Sequence, residues 1–177
     1  NGLLRDCDLG SIVGLSSGMS AIKAQTRMPP SEEIPPWGVL AIESHHAPDF
    51  FMEFRTHTFL KVIYFLSGQS QVLVDEEQFD CQRGDVVIVH PGQKNRIIDQ
   101  SGAPVSLYAL CLDPDLLRFD PGFLERIPEG QISPSAERAR ALEAQLRRLR
   151  FQQEVKTADA PVSMVALALS LLVSLRR

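Results

Sequence analysis

Between Trp37 and Asp113 the apolar residues come in short runs at close spacing, broken by Gly, Pro, Asp and Ser. This pattern predicts strands near 38–43, 50–55, 60–66, 70–74, 78–81, 86–89, 95–98 and 105–112. Evenly spaced short strands with turn residues between them belong to antiparallel sandwiches and barrels. Two turns are well marked. Ser67-Gly68 separates the run before it from Gln71-Val72-Leu73-Val74, and Asp75-Glu76-Glu77 leads on to Gln78-Phe79. Beyond Asp113 the period lengthens. Pro114 to Phe119 suits a single helical turn, and residues 120–134, rich in Pro and Gly, read as a loop. Ser135 is placed as a helix N-cap, with Leu142, Leu146 and Leu149 at helical spacing behind it. Asp159 ahead of Pro161 opens a second helix running to Arg177, with Val162, Val165, Ala166, Leu169, Leu172 and Val173 on one wide apolar face. A polar link over about 155–160 joins the two helices into a hairpin, and so apolar a face requires a cover, either the strands or a partner chain. Arg176 and Arg177 suit the negative end of the helix dipole.

Residues 1–36 are weakly patterned. Gly10, Gly14 and Gly18, then Met28-Pro29-Pro30 and Pro35-Pro36, predict an irregular arm with one short helix near Ser20–Gln25. The glycines do not form a phosphate loop, because no Lys-Ser/Thr ending follows and no strand leads in.

The bulk properties narrow the function. The chain has 177 residues, 44% of them apolar and 23% charged, with a formal net charge of −4 and a sequence pI of about 5.6. This is an ordinary balance for a globular domain and lacks the basic excess of a nucleic-acid binder. The one dense basic stretch, Arg138 to Arg150, is interleaved with glutamates on a helix and reads as a solvated face. Cys7, Cys81 and Cys111 form no CxxC pair, so neither a disulfide framework nor a thiolate zinc site is expected. Cys81 and Cys111 lie in apolar strands and are expected as buried thiols, which fits a reducing cytoplasm. The apolar run Val162 to Leu175 is too short for a membrane span, which takes about 20 residues, and the first residues do not have the make-up of a secretory signal.

One segment is specific. Gly84-Asp85-Val86-Val87-Ile88-Val89-His90-Pro91-Gly92-Gln93-Lys94-Asn95 resembles the second cupin motif, in which Gly-Asp opens a turn, apolar residues form a strand, Pro-Gly turns the corner and a histidine follows. Arg55-Thr56-His57-Thr58-Phe59-Leu60-Lys61, followed by Val62 to Gly68, resembles the first motif, His-x-His-x-x-x-Glu and then a strand ending in Gly. The texture from His46-Ala47-Pro48-Asp49-Phe50 through Leu107-Tyr108-Ala109-Leu110-Cys111, with two helices after it, is similar to the amino-terminal ligand-binding and dimerisation domain of AraC/XylS-type transcription regulators. The resemblance spans roughly residues 38–177. It implies a mainly β fold, a cupin (double-stranded β-helix, jelly-roll) barrel followed by a C-terminal helical hairpin. The organisation it implies is an irregular arm over 1–36, a barrel over 37–113 and a helical dimerisation segment over 114–177. In that family a domain with two helix-turn-helix units follows and binds DNA. Nothing in this sequence matches that domain, so the chain is expected to be part of a longer regulator.

Metal cupins bind their ion through two histidines and a glutamate of the first motif and the histidine of the second. Carried over residue by residue, those positions hold Arg55, His57, Lys61 and Asn95. Arginine and lysine bring cations to a cation site, so no metal, no cofactor and no enzymatic activity are expected. His90 sits on a corner and reads as a turn residue. His45 and His46, adjacent on a strand, point to opposite faces and do not hold one ion together. No Gly-x-Ser-x-Gly elbow is present.

Cations gathered in a desolvated cup are costly unless an anion joins them. Arg55, His57, Lys61 and Asn95 therefore form a candidate site for a sugar, sugar acid or other carboxylate, with Arg55 as a fork and Lys61 as a point charge. Tyr64, Tyr108 and Trp37 are candidates for stacking on a sugar. An alternative stands beside this one, a vestigial pocket whose polar residues reach water or pair with Asp49, Glu53 or Asp85. Asp85 is expected to brace the Gly-Asp corner. The expected partners are a small-molecule effector, a second copy of the chain through the C-terminal helices, and DNA only through a domain outside this chain; no membrane is expected. Two other functions fit the barrel, a metal-dependent isomerase or dioxygenase and a stand-alone carbohydrate-binding cupin, but neither explains the hairpin. The resemblance to arabinose-type regulators further implies that residues 1–36 are able to close over the pocket.

Overall fold

Strand β3 (Leu60–Ser67) is buried on both faces, and its alternation sorts the molecule into two cores. Leu60, Val62 and Tyr64 face one apolar cluster, while Ile63 and Phe65 face the other. The structure, a computed structural model, describes residues 23–100 and 103–176. The expectations that fall on Cys7, on the three early glycines and on Arg177 lie outside them. So does the first half of the expected helix near Ser20–Gln25, and Lys23–Gln25 have no regular structure.

Beside β3 run β1 (Val39–His45), β6 (Val86–Val89), β8 (Ser106–Leu112) and a short β9 (Gly130–Ile132), in the order β1-β8-β3-β6-β9. A second sheet, β2-β7-β4-β5, contains β2 (Arg55–Thr56), β4 (Gln69–Val74), β5 (Glu77–Gln82) and β7 (Lys94–Asp99). All the strand pairings are antiparallel. The sheets close on Ile63, Phe65, Val72, Val87, Val89, Ile97 and Leu107, which form the barrel interior. The smaller sheet buries only its inner residues, so β4 alternates buried Ser70, Val72 and Val74 with half-exposed Gln71 and Leu73. That alternation marks a sheet wet on one side, and the unbroken apolar run of β6 marks one covered on both. The tight turn from β3 into β4 requires Gly68. Its φ is +83°, and a Cβ there would come within 2.7 Å of the Pro104 carbonyl oxygen.

The mainly β barrel with two C-terminal helices is thus the fold the chain adopts, with three local differences. The strand expected at 50–55 shrinks to Arg55–Thr56, because Phe50 instead stacks on the buried His46 ring at a centroid distance of 3.5 Å. The helical turn expected over 114–119 is a 3-10 turn, Pro114–Leu117, capped by Asp113. The loop expected over 120–134 contains a 3-10 turn, Leu124–Arg126, and supplies β9, which extends the larger sheet beyond residue 113. Asp85 fastens β9. One of its carboxylate oxygens accepts from Ser133 Oγ at 2.7 Å, and the other accepts from the Gln82 N–H at 2.9 Å and Gln131 Nε2 at 3.2 Å. Its expected bracing role at the corner therefore reaches further along the chain.

Helix α1 (Ala136–Val155) starts at Ser135, whose hydroxyl accepts from the Arg138 N–H, and buries Leu142, Leu146 and Leu149 as expected. Helix α2 (Ala160–Leu175) packs beside it over the outer face of the larger sheet. Its rotation differs from expectation. Met164, Ala168, Leu171, Leu172 and Leu175 are buried, whereas Val162 is 72% and Val173 41% exposed. Of the face expected to be covered, Leu172 alone is buried, while Val165 and Leu169 pack half-buried against the core. Helix α2 carries no charged residue, so its periodicity does not distinguish inside from outside.

The hairpin is pinned to the edge of the barrel by Gln153, whose side-chain oxygen accepts from the Ala41 N–H at 2.8 Å and whose amide donates to the Ala41 carbonyl at 2.9 Å. This pair closes the backbone groups of an edge strand, which would otherwise be open to pairing. Replacing Gln153 with Ala leaves both groups of Ala41 without a partner and should lower stability by about 1–3 kcal/mol. Urea unfolding checks this against Glu154→Ala, an exposed neighbour expected to cost less than about 1 kcal/mol.

Candidate functional site

Lys61 occupies an inward position on β3 with Val89 and Cys111 as its strand neighbours, and it is only 2% exposed. An ammonium so deep in the barrel needs an anion, and the anion comes from the arm. Glu32 reaches in to form an ion pair between its Oε1 and Lys61 Nζ. Its Oε2 lies 3.2 Å from His57 Nε2 and 3.6 Å from an Arg55 guanidinium nitrogen. The contact with His57 is close, but neither atom has the alignment of a hydrogen bond. Three basic side chains from the first motif therefore converge on one carboxylate that is itself nearly buried.

The arm is positioned by its backbone. Thr26 donates to the His45 carbonyl and accepts from the Ala47 N–H, both at 2.8 Å, and Arg27 accepts from the Phe51 N–H at 2.9 Å. Pro29, Pro30, Pro35 and Pro36 then favour an extended path across the barrel mouth, since proline fixes φ and pushes the residue before it out of the helical region.

Asn95, fully buried on β7 opposite Arg55, donates from Nδ2 to the Arg55 carbonyl at 3.2 Å, and its Oδ1 has no partner among the described residues. Deeper lies a second polar group that sequence reading did not single out. His46 Nδ1 lies 2.7 Å from one oxygen of Asp99, and Ser70 Oγ donates to the other at 2.8 Å. His45 turns the other way, toward Ser106 and Glu43, so the two adjacent histidines do share no site. The barrel cavity left between arm and sheets is about 20 Å³, lined by Pro30, Glu32, His46, Met52, Lys61 and Ile97 among others. That is room for about one water.

Of the residues expected at the site, Arg55, His57, Lys61 and Asn95 come together on the inner wall. Tyr64, Tyr108 and Trp37 do not join them. Tyr64 and Tyr108 are cross-strand partners on the opposite face of the sheet, in the core beneath the helices. The Tyr64 hydroxyl donates to the Ala139 carbonyl of α1 at 3.1 Å. The physical reason is strand parity, because residues three apart, such as Lys61 and Tyr64, point to opposite faces. Trp37 packs where β1 meets the hairpin. His90 stays on its corner, 3.7 Å from Glu129. Sequence reading missed Glu32. Its signal is an acidic pair, Glu32-Glu33, inside a proline-rich extended stretch.

The electrostatics follow from this packing. Burial, together with the neighbouring Lys61 and Arg55 charges, holds the His57 pKa below the usual histidine value, and Glu32 opposes them only in part. Cys81 and Cys111 are free thiols, each pushed up to about 12 by burial. Neither therefore carries thiolate character at neutral pH.

The set does not fit the metal of the metal-binding cupins. His57 and Glu32 are two donors, and the carboxylate is already held by an ammonium. Among the described residues no three His, Cys, Asp or Glu side chains converge in a metal-holding group. No helix among them is long and apolar enough to cross a membrane.

Comparison with known proteins bears on the same region. The family model described as AraC-like ligand binding domain matches residues 36–172. No curated protein matches the chain in sequence. Similar solved structures include the cupin domain of Cnp3 from Schizosaccharomyces pombe, at 19% identity over 48% of this chain and 63% of that one, with a TM-score of 0.43. A predicted oxalate decarboxylase from Thermotoga maritima has 16% identity over 41% of this chain and 64% of that one, at a TM-score of 0.39. An RmlC-like cupin from Shewanella frigidimarina has 17% identity over 44% and 68%, at a TM-score of 0.41. The chain thus spans less than two-thirds of the first two of these proteins.

A group whose pKa is depressed in the folded state binds its proton less readily there than in the unfolded chain. Stability contributed by neutral His57 is therefore present above the ordinary histidine pKa and is lost as pH falls below it. Urea midpoints taken from about pH 7 down to about pH 5 should decline for the wild-type chain, with a His57 slope of at most about 1.4 kcal/mol per pH unit. His57→Gln should flatten that decline measurably.

Proposed function

This chain belongs to the AraC-like ligand-binding domain family, and on that premise we propose that it is the effector-sensing and dimerising part of a transcription regulator, with no catalytic role. The observation that carries the reading is the carboxylate of Glu32 on Arg55, His57 and Lys61. The barrel holds a site for an anion and fills it with a residue of its own arm. An effector bearing a carboxylate, such as a sugar acid, takes the same three basic groups by displacing Glu32. Asn95 Oδ1, buried without a partner among the described residues, accepts a hydroxyl of that effector. The cavity of about 20 Å³ is too small for such a molecule while the arm is seated, so binding and arm release are one event. The effector's affinity is then reduced by the fraction of molecules whose arm is seated.

Dimerisation rests on α2. A helix apolar all round is ordinarily buried all round, yet Val162 and Val173 face outward and the helix carries no charge to solvate that side. A second copy packing there covers it. DNA is reached through a domain of the longer regulator, and the buried free thiols suit the cytoplasm as its location.

Two outcomes test these roles. Calorimetric titration with glucuronate should give tighter binding to Glu32→Gln than to the wild-type chain, by roughly tenfold or more, and none to Lys61→Met. Binding equal in wild type and Glu32→Gln would count against competition. Sedimentation should find the wild-type chain dimeric at micromolar concentration, and the double variant Val162→Asp, Val173→Asp monomeric with its melting temperature little changed. A wild-type monomer sinks the dimer role.

A further inference from the structure

Beyond Arg55, His57 and Lys61 the barrel interior has few hydrogen-bonding groups to give an incoming molecule. The cavity beside Lys61 is walled by Ile42, Phe50, Met52, Ile63, Ile97 and Leu107. Apart from Lys61 and Glu32, the polar side chains on it are Ser44 and His46. His46 is already engaged, with Nδ1 2.7 Å from Asp99 and its ring stacked on Phe50. One serine hydroxyl on the wall, and Asn95 Oδ1 opposite Arg55, are thus what the barrel holds for the polar atoms an effector carries besides its carboxylate. A sugar acid has a hydroxyl on nearly every carbon. Each hydroxyl buried against an apolar wall without a partner loses its bonds to water and gains none, so most of a sugar acid's hydroxyls are opposed by this lining.

The arm has the matching chemistry. Pro29 and Pro30 line the cavity from the arm side, and Glu32, two residues on, supplies the carboxylate. The segment seated at the barrel mouth therefore pairs apolar rings with a single acid group, and a molecule that displaces it meets the same walls. The closed cavity of about 20 Å³ does not hold such a molecule, so its body takes the room that the arm vacates. We propose that the effector is a monocarboxylate with an apolar, ring-sized body, rather than a polyhydroxylated acid. This assignment rests on the displacement of Glu32 by the effector and narrows the chemistry of the molecule that does it. Arg55, His57 and Lys61 select the charge, and the apolar walls select what the charge is attached to.

Calorimetric titration of the full chain with hydrocinnamate and with glucuronate compares the two classes at equal charge. Hydrocinnamate should bind at least about tenfold more tightly than glucuronate, in wild type and in Glu32→Gln alike. Both acids should lose binding in Lys61→Met. Ile42→Thr places a hydroxyl on a half-buried part of the wall. It should weaken hydrocinnamate binding roughly threefold or more and leave glucuronate binding unchanged or tighter. Glucuronate binding as tightly as hydrocinnamate, with both lost in Lys61→Met, would overturn this proposal alone and leave the displacement of Glu32 standing. A folded Ile42→Thr chain that binds hydrocinnamate as wild type does would also overturn it. Binding of neither acid overturns the proposal together with the displacement it rests on. The comparison of the two acids on the wild-type chain needs no substitution, so it decides the matter even where a variant is unstable.

Discussion

A lysine cannot remain charged inside a protein without an anion beside it, and the middle of this barrel is arranged around that constraint. Lys61 has apolar strands on either side and almost no exposure. Removing a charge from water costs several kcal/mol even after relaxation, and only a close, well-placed partner offsets it. Glu32 is that partner, and bringing it in commits the chain ahead of it to cross the barrel mouth. The same carboxylate sits against His57 and Arg55, so one arm residue answers three basic ones. The seated arm and the nearly filled interior trace back to this one neutralisation, whereas the lowered pKa of His57 comes first from its burial and is opposed by Glu32.

The larger sheet separates the barrel interior, where Lys61 and Glu32 sit beside an apolar cluster, from a second apolar core under the helices. Its central strands alternate between the two, with Lys61 and Ile63 inward and Val62 and Tyr64 outward, so each strand serves both the site and the helical hairpin. Gln153 and Tyr64 add directed hydrogen bonds to what would otherwise be a non-directional apolar contact, fixing where the hairpin rests. Residues of the arm and of the hairpin line one groove beside β1, and the neighbouring Glu32 pairs with Lys61.

Some of the candidate site was legible in the chain. The spacing of Arg55, His57 and Lys61 and the corner leading to Asn95 bring these four residues to one part of the barrel, because the motif has a fixed register and strands have a fixed period of two. The same period argued against Tyr64, three residues from Lys61, and applying it there would have removed Tyr64 from the site. Glu32 carried no comparable signal. It lies 29 residues from Lys61, on a segment without periodicity, and only the closed fold brings them together. Trp37 was visible as an aromatic at the start of the barrel, but the groove it lines consists of three segments distant in sequence.

What the sequence determined by itself was whatever depends on neighbours along the chain: the strand spacing, the Gly-Asp corner, the Ser135 cap, the two helices, and the replacement of metal ligands by cations. Local period and side-chain chemistry suffice for these. The tertiary structure alone decided which face of α2 is covered, that β9 completes the larger sheet, and that the anion for Lys61 comes from the chain itself. These turn on which surfaces meet across long separations. When a helix is apolar on every side, or a charge has several potential partners, packing density and the cost of desolvation make the choice, and neither is written in any short stretch of residues.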